Sequence, residues 1–248
     1  MRRYLVSVLV LVVLSAAVTA CALAAAGGNP NPGVIPLQAK VGGLTYADWG
    51  DRWWSWINSI PAADNPLLDL TGEKAGVGQS AGPVFFLVGL LLGEGQPTTV
   101  ERWVTVGRHQ ALFFPLVNYD FWIADVCMTE EGECAEGLGG EELVQFMADC
   151  IDSMASSAIE LHASVDGQPL QDLFQYRAKS SQPFECTYPE DSIWSPWIGD
   201  GAGLFPINVC DGYWVMLAPL KKGEHVVTFG GTTCTGDSLD MTYHVTVE

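Results

Sequence analysis

Positive charge is scarce in this chain of 248 residues, which carries 11 Lys and Arg against 29 Asp and Glu. The formal net charge of −18 repels nucleic acids and anionic membrane surfaces. We therefore expect no nucleic-acid partner, and membrane contact only through an attached lipid. The acids are scattered and form no D-x-D-x-D-G loop, so we interpret most of them as solvated surface. A calcium site and adaptation to salt are the alternatives.

Motifs of common enzymes are also missing. The chain has no H-E-x-x-H pair, no Walker loop and no dinucleotide-binding fingerprint, and its four histidines are far apart. No two carboxylates are marked out by their spacing as a glycosidase pair. We therefore predict no cofactor and no metal site, and we favour a protein without catalytic activity.

Long apolar runs are confined to the N-terminus, "MRRYLVSVLVLVVLSAAVTACALAAA". Two arginines, an apolar stretch and then small residues are typical of a secretory signal, so we predict one over residues 1–26. Residues 18–21 resemble a lipobox, which would place a lipid on Cys21, whereas residues 24–26 would suit ordinary signal peptidase. The protein is then secreted or held in the cell envelope. Residues 27–42 are rich in Gly and Pro and predict a flexible tether before a single domain over 43–248.

Seven cysteines become six once Cys21 is lipidated or removed. An even number in an oxidising compartment predicts disulfides, and the spacing contains no C-x-x-C pair that would favour zinc or redox chemistry. Cys150 is expected to pair with Cys127 or Cys134, with Cys186 as a competitor for the same partner. The six are Cys127, Cys134, Cys150, Cys186, Cys210 and Cys234.

Two segments have the periodicity of helices. In "LTYADWGDRWWSWINSIP", Thr45 and Asp48 form a capping-box pattern and the bulky residues recur at helical spacing, which indicates a helix laid on a sheet. That stripe comprises Trp49, Trp53, Trp56, Ile57 and Ile60. Trp54 falls off the stripe and is expected at an edge. The second segment, "GEELVQFMADCIDSMASS", is a helix with Cys150 on its buried stripe.

Most other stretches predict strands. "PVFFLVGLLL", "RWVTVG" and "ALFFPLVN" are short apolar runs rich in Val and Phe, and "AIELHASVDG" places Ile159 and Ala163 on one side. "LDMTYHVTVE" alternates, with every second residue from Leu239 to Val247 facing inward. Several short strands, two helices and no β-α-β alternation predict a mainly β fold. We expect an antiparallel β-sandwich of the jelly-roll or Ig-like type with two flanking α-helices.

The segment "DGYWVMLAPLKKGEHVVTFGG" predicts two strands joined by a Pro/Lys/Gly loop. If these strands pair as a hairpin with Leu217 opposite His225 or Val226, Cys234 lies one or two places beyond the residue opposite Cys210, within bonding reach once a bulge or fraying near Gly230 is allowed. The sequence therefore predicts a disulfide between Cys210 and Cys234.

The run "GQSAG" at residues 78–82 matches the G-x-S-x-G of a hydrolase nucleophile elbow. An elbow needs a strand before the serine and a helix after it, but here a Gly-rich segment precedes Ser80 and a strand-like run follows. We favour a turn in which Gln79 and Ser80 bind backbone groups, Gly76, Gly78 and Gly82 permit positive φ, and Pro83 starts an edge strand.

The aromatic loop "CTYPEDSIWSPWIGDGAGLFPINVC", residues 186–210, is the candidate binding site. Aromatic rings on a rigid loop with carboxylates nearby suit the stacking and hydrogen bonding of a sugar. The candidate ligand-binding residues are Tyr188, Asp191, Trp194, Trp197 and Asp200. In the alternative interpretation, the indoles fold under the loop and plug the end of the sandwich.

The order of these motifs over residues 43–248 resembles a family of exported bacterial proteins that has no assigned activity. The motifs that carry the likeness are "LTYADWGDRWWSWINSIP", "NPLLDLTG", "GQSAGPVFFLVG", "ALFFPLVN", "ASVDG", "DGYWVMLAPLKKGEHVVTFGG" and "TYHVTV". The resemblance implies cysteines near the positions of Ala75 and Trp103, where this chain has none, so one link of the family would be absent here.

We therefore expect an exported protein of the cell envelope, lipid-anchored or free, with a binding or structural role. The second hypothesis is a carbohydrate-binding or carbohydrate-processing protein that uses the loop 186–210. The third is a serine hydrolase that uses Ser80. A glycan or another envelope component would be the partner.

Overall fold

The computed structural model describes residues 30–31, 33–91, 98–122, 137–195 and 202–248. The chain divides into two compact units, Met1–Pro32 and Gly33–Glu248, and the fold below is that of the second. The predicted signal segment, Cys21, Cys127, Cys134, Trp197 and Asp200 lie outside the described residues. Among the described helices, none has the length and apolar character needed to cross a bilayer.

The described part of the chain is mainly β with two α-helices, as predicted. Helix α1 is Tyr46–Asn58 and helix α2 is Gly140–Ala155. The strands are β1 Val84–Phe86, β2 Thr99–Val106, β3 Ala111–Trp122, β4 Ala158–Val165, β5 Gln168–Pro169, β6 Arg177–Lys179, β7 Phe184–Tyr188, β8 Gly203–Leu217, β9 Gly223–Thr233 and β10 Ser238–Val247.

These strands form two five-stranded sheets. The first has the order β1-β3-β8-β6, with β7 also paired to β8, and the second has the order β2-β10-β9-β4-β5. β1 runs parallel to β3, and β2 runs parallel to β10, whereas the other pairs are antiparallel. The sheets are therefore of mixed orientation and not strictly antiparallel, in contrast to the antiparallel arrangement predicted. The two strands of a parallel pair cannot be connected by a short hairpin, so the chain between them has to cross over.

The side chains of neighbouring residues on β3 point to opposite faces of the first sheet. Phe114 faces the second sheet and stacks on Phe229, with ring centroids 4.5 Å apart. Phe113 faces the other way and stacks on Trp214, which in turn contacts Trp53 of α1. The first sheet is therefore covered by the second sheet on one face and by α1 on the other.

The sequence patterns of the two helices and of β10 are confirmed. The capping box of α1 is complete, because the hydroxyl of Thr45 accepts from the backbone N–H of Asp48 while the Asp48 carboxylate accepts from the backbone N–H of Thr45. In β10 the side chains of alternate residues from Met241 to Val247 are buried. Helix α2 packs its buried stripe on the first sheet, and that cluster is Phe121, Leu143, Met147, Ile151 and Val209.

The predicted hairpin between β8 and β9 is wrong, and so is the Cys210–Cys234 disulfide. β8 belongs to the first sheet and β9 to the second, so the Pro/Lys/Gly loop crosses between sheets. Cys210 lies opposite Asp120 of β3, and Cys234 follows β9, where its N–H donates to the carbonyl of Ser157. Cys186, Cys210 and Cys234 carry unbridged thiols. The pairing of Cys150 with Cys127 or Cys134 stays a prediction.

Two local expectations also differ from the structure. The predicted alternation turns Ile159 inward, but a bulge between Ala158 and Glu160 reverses it and leaves Ile159 63% exposed. Val34 and Ile35 lie within the predicted tether, yet Val34 is buried and pairs with Leu217 of β8. This part of the predicted tether is packed on the first sheet.

Candidate ligand-binding cavity

A cavity of about 660 Å³ lies along one edge of β3. β1 pairs with β3 only at Ala111–Phe113, and the cavity begins where that pairing ends. Its volume is in the range of small-molecule sites in proteins, about 300–1,000 Å³. The described lining comprises Trp53, Trp54, Leu67, Gly89, Leu90, Leu91, residues 115–122, Met154, Trp194, Gly231, Thr233, Asp237 and Leu239.

A β-bulge in β3 brings side chains from both faces of the first sheet to this edge. The pairing of β3 with β8 shifts between Pro115 and Val117, which reverses the alternation of the residues that follow. Asp120 then faces α1, where it accepts a hydrogen bond of 2.8 Å from Asn58, while Phe121 packs against α2. Without the bulge, polar residues of this strand would point at the second sheet.

The indole N–H groups of α1 differ in whether they have a hydrogen-bond acceptor. Those of Trp49, Trp53 and Trp56 donate to the carbonyls of Val41, Leu87 and Val77, at 3.0 to 3.1 Å. Trp54, only 6% exposed, has no acceptor for its indole N–H among the described residues. Burying such a group without a partner costs free energy, so an unpaired donor is a feature that needs an explanation.

Asn118, another residue of the cavity lining, also carries an unpaired donor. The side-chain amide nitrogen of Asn118 is buried and has no acceptor in the described part of the chain. Asn118 packs directly on Gly212 of β8, where an added Cβ would come within 2.7 Å of the Cα of Asn118. Asn118 therefore lies against the backbone of β8, and its side-chain nitrogen is buried without an acceptor among the described residues.

The charged side chains of the lining are acidic. Asp120 lies inside the cavity, and the exposed Asp237 lies at the mouth, where it accepts from the Thr235 hydroxyl at 2.7 Å. The described lining contains no Lys, Arg or His. The rest is largely aliphatic and indole surface, which suits an apolar ligand body.

Beneath α1, next to this cavity, a polar cluster joins the helix to β8. The Asp51 carboxylate accepts from the Ser180 hydroxyl at 2.6 Å and from the Cys210 thiol at 3.4 Å. Burial raises the pKa of Asp51 to about 6, although both hydrogen bonds oppose this shift. Burial also raises the pKa of the Cys210 thiol well above its usual range, and the nearby Asp51 adds to the shift. Cys210 is therefore a neutral thiol and a poor nucleophile.

The predicted sugar site is only partly assembled. Trp194 lines the cavity, donates to the Asn58 side chain at 2.9 Å and packs edge-on against Trp122. Tyr188 is 1% exposed, and its hydroxyl accepts from Asn58. Asp191 is exposed, and its backbone carbonyl accepts from Ala62. The described part of the loop therefore presents no open aromatic platform.

The serine of the G-x-S-x-G run lies in a turn. The Ser80 hydroxyl accepts from the N–H of Gly82, and the Gln79 side chain bonds the backbone of Ala75 and Phe86, as predicted. Of the three glycines, only Gly78 has a positive φ. β1 follows at the edge of the first sheet, so Ser80 precedes a strand instead of standing between a strand and a helix.

Sequence reasoning missed the cavity but contained one sign of it. Trp54 lies off the apolar stripe of α1, and the structure shows that its indole is buried and lines the cavity. The unpaired amide of Asn118 and the bulge at Pro115 had no comparable signal. Among the described residues, no group of three or more His, Cys, Asp or Glu side chains is placed to hold a metal ion.

Fold and cavity together define a mainly β protein of two mixed sheets, with a helix of indoles on one face and a largely apolar cavity at a strand edge. No protein-family model matches the chain, and a search of curated proteins gives no match either.

Proposed function

We propose that this chain is an exported binding protein of the cell envelope that holds a small, mostly apolar molecule in the cavity beside β3. The signal-like N-terminus supports export, and the lipobox-like residues before Cys21 support lipid anchoring. Mass spectrometry of the mature N-terminus tests the anchor. A chain that starts at Gly27 would contradict lipidation of Cys21.

The cavity itself is the observation that carries the binding function. It has the volume of a small-molecule site and apolar walls from both sheets and both helices. Folding stability alone would favour filling such a space. A bound molecule accounts for it.

The experiment is a fluorescence titration of the purified, exported protein with N-phenyl-1-naphthylamine, an uncharged dye that brightens in apolar surroundings. We expect saturable binding that weakens at least tenfold in Leu239→Trp, because Leu239 lies in the lining against Gly89. Val226→Trp is the matched control, since Val226 is exposed on the second sheet outside the described lining. Absence of saturable binding, or equal weakening in both variants, would refute the proposal.

Glycan binding is a second candidate function, favoured by a different indole from those predicted. Trp103 on the edge strand β2 is 60% exposed and stacks on His244, with ring centroids 4.8 Å apart and planes 10° from parallel. An exposed indole held flat by a second ring is suited to stacking against a sugar ring. A glycan array would support this candidate if binding were lost in Trp103→Ala and retained in Trp194→Phe.

A further inference from the structure

We propose that His225 is a pH-sensitive latch. Its doubly protonated ring fastens the crossover between the two sheets, residues 218–222, to the turn between β4 and β5, and loss of one ring proton releases the crossover. These residues lie outside the described lining of the cavity, so the latch does not depend on the proposed binding function.

Both ring nitrogens of His225 lie within hydrogen-bond distance of an oxygen atom. Nδ1 is 2.8 Å from a carboxylate oxygen of Asp166 in the turn, and Nε2 is 2.8 Å from the backbone carbonyl oxygen of Lys221 in the crossover. A carbonyl oxygen and an ionised carboxylate can only accept hydrogen bonds, whereas a neutral imidazole carries a single N–H. Only the imidazolium, which carries two, can donate to both oxygens at once.

The turn is the fixed end of the latch. The backbone N–H of Asp166 donates to the carbonyl of Val226 at 2.8 Å, and its second carboxylate oxygen accepts from the N–H of Val226 at 2.9 Å. Burial would raise the pKa of Asp166, but the hydrogen bonds from His225 and Val226 outweigh this effect and lower that pKa below its usual value. Asp166 is therefore an ionised acceptor that β9 holds in place.

The crossover is the end that His225 can release. On its two sides, Ala218 donates to the carbonyl of Gly33, and Gly223 pairs with β10. Between them, the contact of Lys221 with His225 is the one hydrogen bond that joins residues 219–222 to another described residue. Leu220 adds apolar contact with the core. A segment with so few hydrogen bonds opens locally at a small cost in free energy, so loss of this bond frees it.

The charges close to His225 favour the imidazolium. Burial disfavours the charged ring, but its two hydrogen bonds and the negative charges of Asp166 and Glu224 outweigh this effect and raise the pKa of His225 above its usual value. The charged ring therefore stabilises the fold fully below a pH of about 6.5, and this contribution is lost as the pH rises through the pKa of His225. The latch is closed in acid and opens as the pH rises.

The other elements beside His225 oppose this charge weakly. β10 places the apolar Val245 opposite His225, and β4 ends in the apolar Val165 before the turn. The crossover carries Lys221 and Lys222, but both residues are exposed, so water and salt screen their ammonium groups.

The test is a titration of the full chain from pH 5 to pH 9, followed by 1H–13C NMR. The ring signal of His225 measures its pKa, and the methyl signals of Leu220 report on the crossover. We expect both signals to titrate with one midpoint above about 6.5 and the methyl groups to become more mobile above that midpoint. Below it, the 15N shifts of the ring should show that both nitrogens are protonated.

Two variants separate the latch from a merely structural contact. Asp166→Asn removes the negative charge and keeps an oxygen for the N–H of Val226, so it should lower both midpoints by about 0.5–1 pH unit. His225→Phe removes both ring hydrogen bonds, so Leu220 should be mobile at every pH. Thermal melts check that each variant is folded, and Asp166→Asn decides alone if His225→Phe does not fold.

His162→Gln is the matched control, because His162 also lies beside an aspartate, Asp240 at 2.6 Å, but has no part in the latch. It should leave both midpoints unchanged. A pKa of His225 at or below about 6.5, or a ring with a single proton below its midpoint, would overturn the latch. So would Leu220 signals that do not follow the titration of His225, or a control that shifts the midpoints as far as Asp166→Asn does.

Discussion

Arg102 of β2 donates a hydrogen bond of 2.8 Å to the hydroxyl of Tyr243 on β10, in the interior between the sheets. Both side chains are fully buried, and the Tyr243 hydroxyl in turn donates to the carbonyl of Val88. The same guanidinium donates to four backbone carbonyls, which belong to Pro66, Asp69, Val88 and Gly89. Arg102 therefore ties to the second sheet the two segments that carry Leu67 and Leu90 into the cavity wall.

Arg102→Met should lower the free energy of unfolding by about 3 kcal/mol or more, because several buried carbonyls and the Tyr243 hydroxyl lose their donor at once. The dye should also bind more weakly, since the wall segments lose their anchor. Urea denaturation measures the first effect. Arg108→Met is the control, because Arg108 is exposed, and it should change stability by less than about 0.5 kcal/mol. A loss below about 1 kcal/mol in Arg102→Met would contradict this role.

Asp51→Asn should increase stability at pH 7.5 and have no effect near pH 4. Burial raises the pKa of Asp51 to about 6, so between pH 4 and 6 the folded protein holds a proton that the unfolded chain releases. The stability contributed by this carboxyl is therefore present at low pH and is lost as the pH rises through 6. Asn keeps the acceptor oxygen for Ser180 and Cys210 and removes the charge. We expect a gain of about 1–2 kcal/mol at pH 7.5.

Asp48→Asn, on the same helix, is the control with the opposite sign. Hydrogen bonds from the Thr45 hydroxyl and backbone lower the pKa of Asp48, so its ionised form stabilises the fold. That contribution is present above the usual pKa of an Asp and is lost as the pH falls. The Asn variant should therefore be less stable at pH 7.5. Urea titrations of both variants at pH 4 and 7.5 would contradict the assignment if the two substitutions shifted stability in the same direction.

The thiols of Cys186, Cys210 and Cys234 should differ sharply in reactivity. Cys234 is exposed, whereas Cys186 and Cys210 are each 1% exposed, and burial raises the pKa of Cys186 to about 12. Iodoacetamide at pH 8 should therefore alkylate Cys234 about a hundredfold faster than either buried thiol. Peptide mapping by mass spectrometry measures the rates, with urea-unfolded protein as the control. A peptide that joins Cys210 to Cys234 would contradict the structure.

The sequence predicts the parts of this fold that depend on local periodicity. The indole stripe and capping box of α1, and the alternation of β10, follow from side-chain spacing within one element, and the structure confirms them. Such patterns are readable because burial on one face imposes a fixed period on a helix or strand.

The pairing of strands that are distant in the sequence could not be predicted in the same way. The residues of β8 and β9 are equally compatible with a hairpin and with a crossover between sheets, and the second holds. The bulges at Pro115 and at Ile159 each shift the alternation by one residue, which no period reveals. The cavity depends on one of these bulges and on the early end of β1, so the sequence patterns predicted no cavity, although Trp194 of its lining was a candidate binding residue.

Trp194→Phe decides between the two interpretations of the loop 186–210. The Trp194 indole donates to the side-chain oxygen of Asn58, a fully buried residue whose side-chain nitrogen donates to Asp120 and Tyr188. Removal of the indole N–H leaves that oxygen without this donor, so stability should fall by about 1–2 kcal/mol, as measured by urea denaturation. A sugar platform would instead lose glycan affinity at unchanged stability. Trp103→Phe is the matched control, because the Trp103 indole is 60% exposed and makes no hydrogen bond to another described residue, so its replacement should leave the fold equally stable.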